Sequence, residues 1–342
     1  MTGLRRSHIK AQLSTIPAAL LLLTLVACTG QTQRNTQITV LAEDPHFTLV
    51  RLQAGQTFAD LAANFLGSAS DAWQIAEANA DHSASPGQVV AVPRQPVNPT
   101  SVYPDGYRTV PILCYHQFTQ DRKSDNQLEL TASAFEEQIR YLLANQFRIL
   151  SFTELETILL RSQPIPSNAV IITIDDGYRS IYDVAWPILK QYQVKATLFV
   201  YTDFIGASSA LTWQQMREMA DSGLVDIQSH GKSHASLSRL PQDKTTADYR
   251  ARVETEISGS NAVFKQRMGS VPVFMSYPYG NTSDIAAALV RDRGYRLAAT
   301  VTRGDNTTYS DPFLLHRTMI YDSHDMADFS RFLQGFTRKN LQ

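Results

Sequence analysis

Two short stretches of the chain carry residue types that do chemistry. The first, Ala169-Val-Ile-Ile-Thr-Ile-Asp-Asp-Gly177, is a β-branched apolar run that ends in two carboxylates and a glycine. A run without polar alternation reads as a strand buried on both faces. Asp175 and Asp176 then fall at its C-terminal end, where α/β folds place their chemistry. The second, Ser229-His-Gly-Lys-Ser-His234, follows another strand-like run. Gly231 argues against a helix, so His230 and His234 are loop residues whose imidazoles can reach one ion. Alone, Asp-Asp-Gly is a common turn and paired loop histidines are often only structural. Together, Asp176, His230 and His234 make a two-histidine, one-carboxylate set with coordination positions left open, the pattern of a catalytic ion. Zinc is the default divalent metal for such a set, and cobalt, nickel, manganese and iron suit the same ligands.

Weaker candidates lie at other strand ends. Tyr277-Pro-Tyr-Gly280 would fix the backbone beside the cleft and supply aromatic walls, with Tyr277 as a substrate contact. Cys114-Tyr-His-Gln117 closes an earlier strand, and His116 there either lines the pocket floor or is buried and satisfied. Leu314-Leu-His-Arg317 begins the last strand and contributes His316 or Arg317.

The elements that must position these groups alternate. Strand-like runs fall at 110–115, 169–174, 196–201, 224–228, 271–277, 297–301 and 314–320, with helical patterns between them. Pro187 interrupts the helical pattern of 181–192, so that helix should begin afresh or kink there. Strands alternating with helices argue a parallel α/β sheet, and about seven such units favour a barrel over an open sheet.

Five regions succeed one another along the 342 residues. Residues 1–27 read as a signal peptide: Arg5, Arg6 and Lys10 precede an apolar stretch well short of the about 20 residues a bilayer requires. It ends in Leu25-Val-Ala-Cys28, which resembles a bacterial lipoprotein signal with Cys28 as the lipidated first residue. That resemblance implies a lipid-anchored protein of the cell envelope, on the periplasmic side of the outer membrane if the cell has one. Residues 28–45 are polar and read as a flexible tether. Residues 46–94 read as a small strand-helix-helix-strand module with Thr57 as a helix N-cap. Its Gly55-Gln-Thr turn, Asn79 and Pro86-Gly-Gln-Val finish resemble a LysM module, which implies binding of N-acetylglucosamine chains. Residues 95–108, with Pro96, Pro99 and Pro104, read as a stiff linker, and 109–338 as the large domain. The apolar fraction of 43% supports a real core, and a net charge of −1 without basic blocks argues against nucleic acid as a partner. With Cys28 lipidated, Cys114 has no partner for a disulfide.

Residues 110–335 resemble the polysaccharide deacetylase family, also called the NodB-homology domain or carbohydrate esterase family 4. The resemblance rests on Thr173-Ile-Asp-Asp-Gly177, Ser229-His-Gly-Lys-Ser-His234, Tyr277-Pro-Tyr-Gly280 and Leu314-Leu-His316. It implies a distorted (β/α) barrel of about seven strands and metal-dependent removal of acetyl groups from N-acetylglucosamine polymers or xylan. It further implies that Asp176, His230 and His234 hold the metal, that Asp175 is the general base, and that the Tyr279 backbone N–H helps hold the oxyanion. His316 would protonate the leaving amine. The chain departs from the pattern in its third motif, where Ser276 replaces the arginine that orients the base; Arg303 or Arg317 would take over that work, and both are also candidate substrate contacts. Arg303-Gly-Asp-Asn306 stands where the family has Asp-x-x-Asp-Trp. An alternative of another class is a cell-wall-binding lipoprotein with an inactive barrel; an intact ligand set speaks against it.

Overall fold

The computed structural model describes residues 38–79, 83–94, 98–120, 125–160 and 163–341. The expected signal peptide and Cys28 lie outside those residues. Part of the expected tether is in fact a strand, β1 (Thr39–Glu43), paired antiparallel with β2 (Phe47–Arg51). All five β1 side chains are exposed. The strand is therefore held by its backbone ladder and not by burial, which is why its composition resembles a tether.

β2, helices Phe58–Phe65 and Ala72–Ala78, and β3 (Val89–Pro93) follow in the strand-helix-helix-strand order read from the sequence. Thr57 caps the first helix reciprocally: its hydroxyl accepts from Asp60 N, and the Asp60 carboxylate accepts from Thr57 N at 2.8 Å. Asn79 ties the second helix to β3 by donating to Ala91 O and accepting from Ala91 N, both at 2.8 Å. The core beneath holds Val50, Leu52, Phe58, Leu61, Ala62, Ile75, Val90 and Val92.

Residues 102–108, expected as extended linker, form a hairpin of β4 (Val102–Tyr103) and β5 (Gly106–Arg108). Arg108 Nη1 from this hairpin reaches both Glu77 oxygens at 2.8 Å, and Ser167 N donates to Glu77 Oε1 at 3.0 Å. One glutamate of the small module thus takes donors from the hairpin and from the barrel wall.

The large domain contains β6 (Ile112–Tyr115), the short parallel pair β7 (Gln117–Thr119) and β8 (Glu129–Thr131), β9 (Arg148–Leu150), β10 (Ala169–Asp176), β11 (Ala196–Val200), β12 (Val225–Ser229), β13 (Phe274–Ser276), β14 (Leu297–Ala299), β15 (Thr318–Met319) and β16 (Phe336–Arg338). Seven parallel strands run in the order β14-β13-β12-β11-β10-β6-β15, and β9 pairs with the start of β10. A single parallel bridge, Ala299 with Leu315, joins the two ends of this curled sheet. There Leu315 N donates to Ala298 O at 3.0 Å and Thr300 N to Leu315 O at 2.8 Å. The expected distorted seven-strand barrel is what forms. β16 leaves the barrel to pair with β5. Pro187 stands in the first turn of a new α-helix, Trp186–Tyr192, after a π-helical turn at Ile181–Ala185, so the pattern does begin afresh there.

β10 is buried along its whole length. Val170, Ile172 and Ile174 pack outward against the helices, whereas Ala169 and Ile171 join the cluster of Phe199, Phe274, Leu297 and Leu315 inside the barrel. Continuing the alternation of period two, Thr173 and Asp175 rise above that apolar plug toward the mouth.

Candidate active site

Asp175 is 1% exposed and fully engaged. Arg317 grips it as a fork, Nη1 to Oδ1 at 2.8 Å and Nη2 to Oδ2 at 2.7 Å. Ser276 Oγ donates to Oδ2 at 3.0 Å and accepts from Arg317 Nη2 at 2.6 Å. Arg317 is itself anchored by Nε to Thr300 O at 2.8 Å and by Nη1 to Thr173 Oγ1 at 3.1 Å. Burial alone would push the Asp175 carboxyl up; the guanidinium outweighs it and holds the group well below the usual carboxylate range. The arginine that orients this carboxylate is therefore Arg317, not a substrate contact, and the small Ser276 leaves room for it. Arg303 is not part of the site: its guanidinium lies 4.8 Å from the centre of the Phe332 ring.

Alternation should turn Asp176 away from its neighbour. It does not, because Asp176 has φ 75° and Gly177 φ 96°, a left-handed pair that breaks the period. A Cβ on Gly177 would meet Ile205 Cδ1 at 2.8 Å, so glycine is required there. Asp176 Oδ1 then lies 3.5 Å from His230 Nε2 and 3.3 Å from His234 Nε2, and the two Nε2 atoms are 3.2 Å apart. Nitrogen and oxygen ligands at about 2.0–2.1 Å from a tetrahedral ion are separated by about 3.3–3.4 Å, so the three atoms fit one ion. Two further observations agree. Asp176 Oδ1 is buried without a hydrogen-bond partner, and His230 Nδ1 faces Ser276 O at 2.8 Å, which leaves its Nε2 lone pair free.

Burial and the Asp175 charge push Asp176 up to about 7, while burial lowers His230 to about 4 and lowers His234 as well. In the ion-free protein near neutral pH the histidines are thus neutral ligands and Asp176 is about half protonated. A carboxyl raised above its unfolded value of about 3.9 binds more protons in the fold, so the contribution of Asp176 to ion-free stability declines as pH rises from about 4 through about 7, while the lowered histidines contribute in the opposite sense below about pH 6.5. Ion binding must expel that proton. Affinity measured by calorimetry should therefore weaken by about tenfold per pH unit below pH 7, with a buffer-dependent heat of proton release.

Glu256 was not singled out by sequence. It comes from the long helix Thr246–Met268 and is 7% exposed. Its Oε2 accepts from Lys232 N at 3.1 Å and Ser233 N at 2.8 Å, and its Oε1 from Ser233 Oγ at 2.7 Å. This carboxylate pins the turn between the two histidines, where His234 has φ 66°. Its signal in the sequence is an acid on a helix face otherwise formed by Tyr249, Val253, Ile257, Ser260 and Phe264. Glu256→Ala should weaken zinc binding about 10–100-fold while the chain stays folded by circular dichroism.

The remaining candidates divide. His116 is brought to Asp175: with Cys114 these three offer polar atoms within 4.8 Å of one another, and His116 Nδ1 is buried without a partner. Burial lowers its pKa against the upward pull of Asp175. Tyr279 is also at the site, 60% exposed, with φ 60° and its ring centre 4.4 Å from that of His234. Tyr201 packs a tilted ring against the same imidazole, 4.8 Å between centres. Two expectations are corrected. His316 turns out of the barrel, its Nδ1 3.1 Å from Thr302 O, and no hydrogen bond or ion pair joins it to Asp175, Asp176, His230 or His234. Tyr277 is fully buried outside the barrel wall, donating to Phe313 O at 3.0 Å.

Residues 162–298 match the polysaccharide deacetylase family model. YxkH of Bacillus subtilis, named as a candidate polysaccharide deacetylase, is 29% identical over 227 residues, 66% of this chain and 76% of that protein. The poly-β-1,6-N-acetyl-D-glucosamine N-deacetylase of Escherichia coli is 24% identical over 265 residues, 67% of this chain but only 39% of that enzyme. Among solved structures, the Streptococcus pyogenes deacetylase PplD superposes with a TM-score of 0.58 at 24% identity, covering 66% of this chain and 98% of that one. IcaB from Ammonifex degensii gives 0.58 at 22% identity, covering 67% and 98%. Over residues 162–298 the chain is thus similar to the polysaccharide deacetylase family, and its barrel shares the fold of the solved deacetylase PplD.

Proposed function

We propose that the chain is a metal-dependent hydrolase that removes N-acetyl groups from an N-acetylglucosamine polymer at the cell envelope. The observation that carries this reading is the convergence of Asp176, His230 and His234 beside a second carboxylate locked by Arg317. Relatives named as poly-β-1,6-N-acetyl-D-glucosamine deacetylases in Escherichia coli and Staphylococcus aureus support the substrate class.

A divalent ion held by Asp176, His230 and His234 would polarise the acetyl carbonyl and acidify water. Asp175, whose carboxylate lies 3.8 Å from His230 Nε2, takes the water's proton. Held low by Arg317, it is a weak base and can serve only a water made acidic beside it. The backbone N–H of Tyr279, whose ring lies against His234, would hold the developing oxyanion. A proton must then reach the leaving amine, and His116 takes the role first expected of His316. Its buried ring lies beside the carboxylate that collects the proton and has an unpartnered Nδ1. His116→Ala should lower kcat about 10²–10⁴-fold and leave zinc affinity unchanged; weakened zinc binding would instead mark a support of the ligand set.

The leader with Cys28 and the LysM-like module support a lipid-anchored envelope protein that meets its polymer outside the cytoplasm. The reading is tested by acetate release from poly-β-1,6-N-acetylglucosamine oligomers and from peptidoglycan, after chelation and metal add-back. If add-back restores release from neither substrate, the inactive-barrel alternative takes its place.

A further inference from the structure

A cavity of about 470 Å³ lies between the small module and the barrel, far from the site just described. The module supplies Phe65, Asp71, Trp73 and Gln74, and the barrel supplies Arg148 and Gln163. Arg148 is the first residue of β9 and pairs with Ala169 at the start of β10. The cavity therefore opens at the N-terminal end of the strands. Seven residue steps along β10 separate it from Asp176, about 23 Å at about 3.3 Å per step.

Its lining is specific in kind. The Arg148 guanidinium lies 5.7 Å from the Trp73 ring centre and pairs with Glu154 at 3.3 Å. Arg94, also in the lining, pairs with Glu43 at 3.7 Å. Both cations are thus matched, and among the described residues the lining has no unpaired positive charge for an anionic polymer. What it leaves unspent is neutral or acceptor chemistry: the amides of Gln74 and Gln163 and the carboxylate of Asp71 make no hydrogen bond among the described residues. An aromatic ring flanked by planar amides and a carboxylate suits a ligand with an apolar face and a rim of hydroxyl and acetamido groups.

We infer that this cleft is a second glycan site, holding neutral N-acetylhexosamine units of the polymer at the end of the barrel opposite the catalytic groups. The ligand class rests on the deacetylase reading. A segment bound here cannot be the one being deacetylated, so the cleft acts as an anchor that raises the local concentration of distant segments. The expected signature is a dependence on chain length.

The test uses the full chain, with long poly-β-1,6-N-acetylglucosamine and its tetramer as probes. Retention on the long polymer is measured by affinity electrophoresis and turnover of the tetramer by acetate release. Gln74→Ala/Gln163→Ala should weaken retention at least tenfold and leave tetramer turnover within twofold of the unsubstituted chain. Trp73→Ala should do the same, and the double glutamine variant keeps the test valid should Trp73→Ala unfold the module. Unchanged retention in the double variant overturns the inference, as does a matching loss of tetramer turnover. If the unsubstituted chain releases no acetate, the deacetylase reading fails, yet retention lost in the double variant still supports the cleft. If acetate is released and the double variant is retained like the unsubstituted chain, the cleft inference alone fails.

Discussion

Arg317→Met is expected to destabilise the barrel by about 3–5 kcal/mol at pH 8 and to lower kcat at least about 100-fold. Methionine nearly fills the space but leaves Asp175, 1% exposed, with no cation beside it. Removing one member of a buried pair is costly because the other keeps its desolvation penalty. The pH dependence follows from the signs. In the unsubstituted chain the Asp175 carboxyl lies below its unfolded value, so its contribution is present above about pH 4 and lost only as pH falls through the lower folded value. In the variant, burial acts unopposed and raises that carboxyl, so the fold gains stability as pH falls toward it. The gap between the two in urea unfolding should therefore narrow from pH 8 to pH 5. Arg317→Lys should not restore activity, since one ammonium cannot reach Oδ1, Oδ2, Ser276 Oγ and Thr300 O from a single point. Unaltered unfolding in Arg317→Met would show that the guanidinium does not hold Asp175.

Much of this site was legible from local pattern. The β10 run, its two terminal carboxylates and the histidine pair are short-range signals, and the barrel follows from alternating elements. What escaped depends on parity, backbone strain or distance. His316 and Arg317 precede a strand of only two residues, Thr318–Met319, too short for an alternation that would say which points inward. Tyr277 sits one step past β13, whose inward residues are Phe274 and Ser276, so it falls on the outer face with Met275. The turn of Asp176 toward the histidines depends on a positive φ at a non-glycine residue, which composition does not announce. β1 was hidden because it buries no side chain.

The second large effect concerns the ligand set. Asp176→Asn should weaken zinc binding by more than about 100-fold, beyond the range for loss of a supporting residue, and abolish acetate release. It should also make the ion-free protein more stable than the ion-free unsubstituted chain at pH 8. There the native carboxylate is ionised, buried and beside Asp175, which is what pushes it up to about 7. The difference should be smaller at pH 5, and it vanishes only below about pH 4, where the carboxyl is protonated in the unfolded chain as well. Loss of function with gain of ion-free stability is the mark of a residue kept for a ligand and not for the fold. Thermal unfolding after chelation, at both pH values, measures it.

The most direct test of the central claim joins metal content to chemistry. Chelator-stripped chain is titrated with zinc in a calorimeter, and acetate release from poly-β-1,6-N-acetylglucosamine oligomers is followed at each addition. Release should rise with zinc and level off at one ion per chain, and His230→Ala should show neither the binding nor the release. Full acetate release from stripped protein, or from His230→Ala, would contradict it.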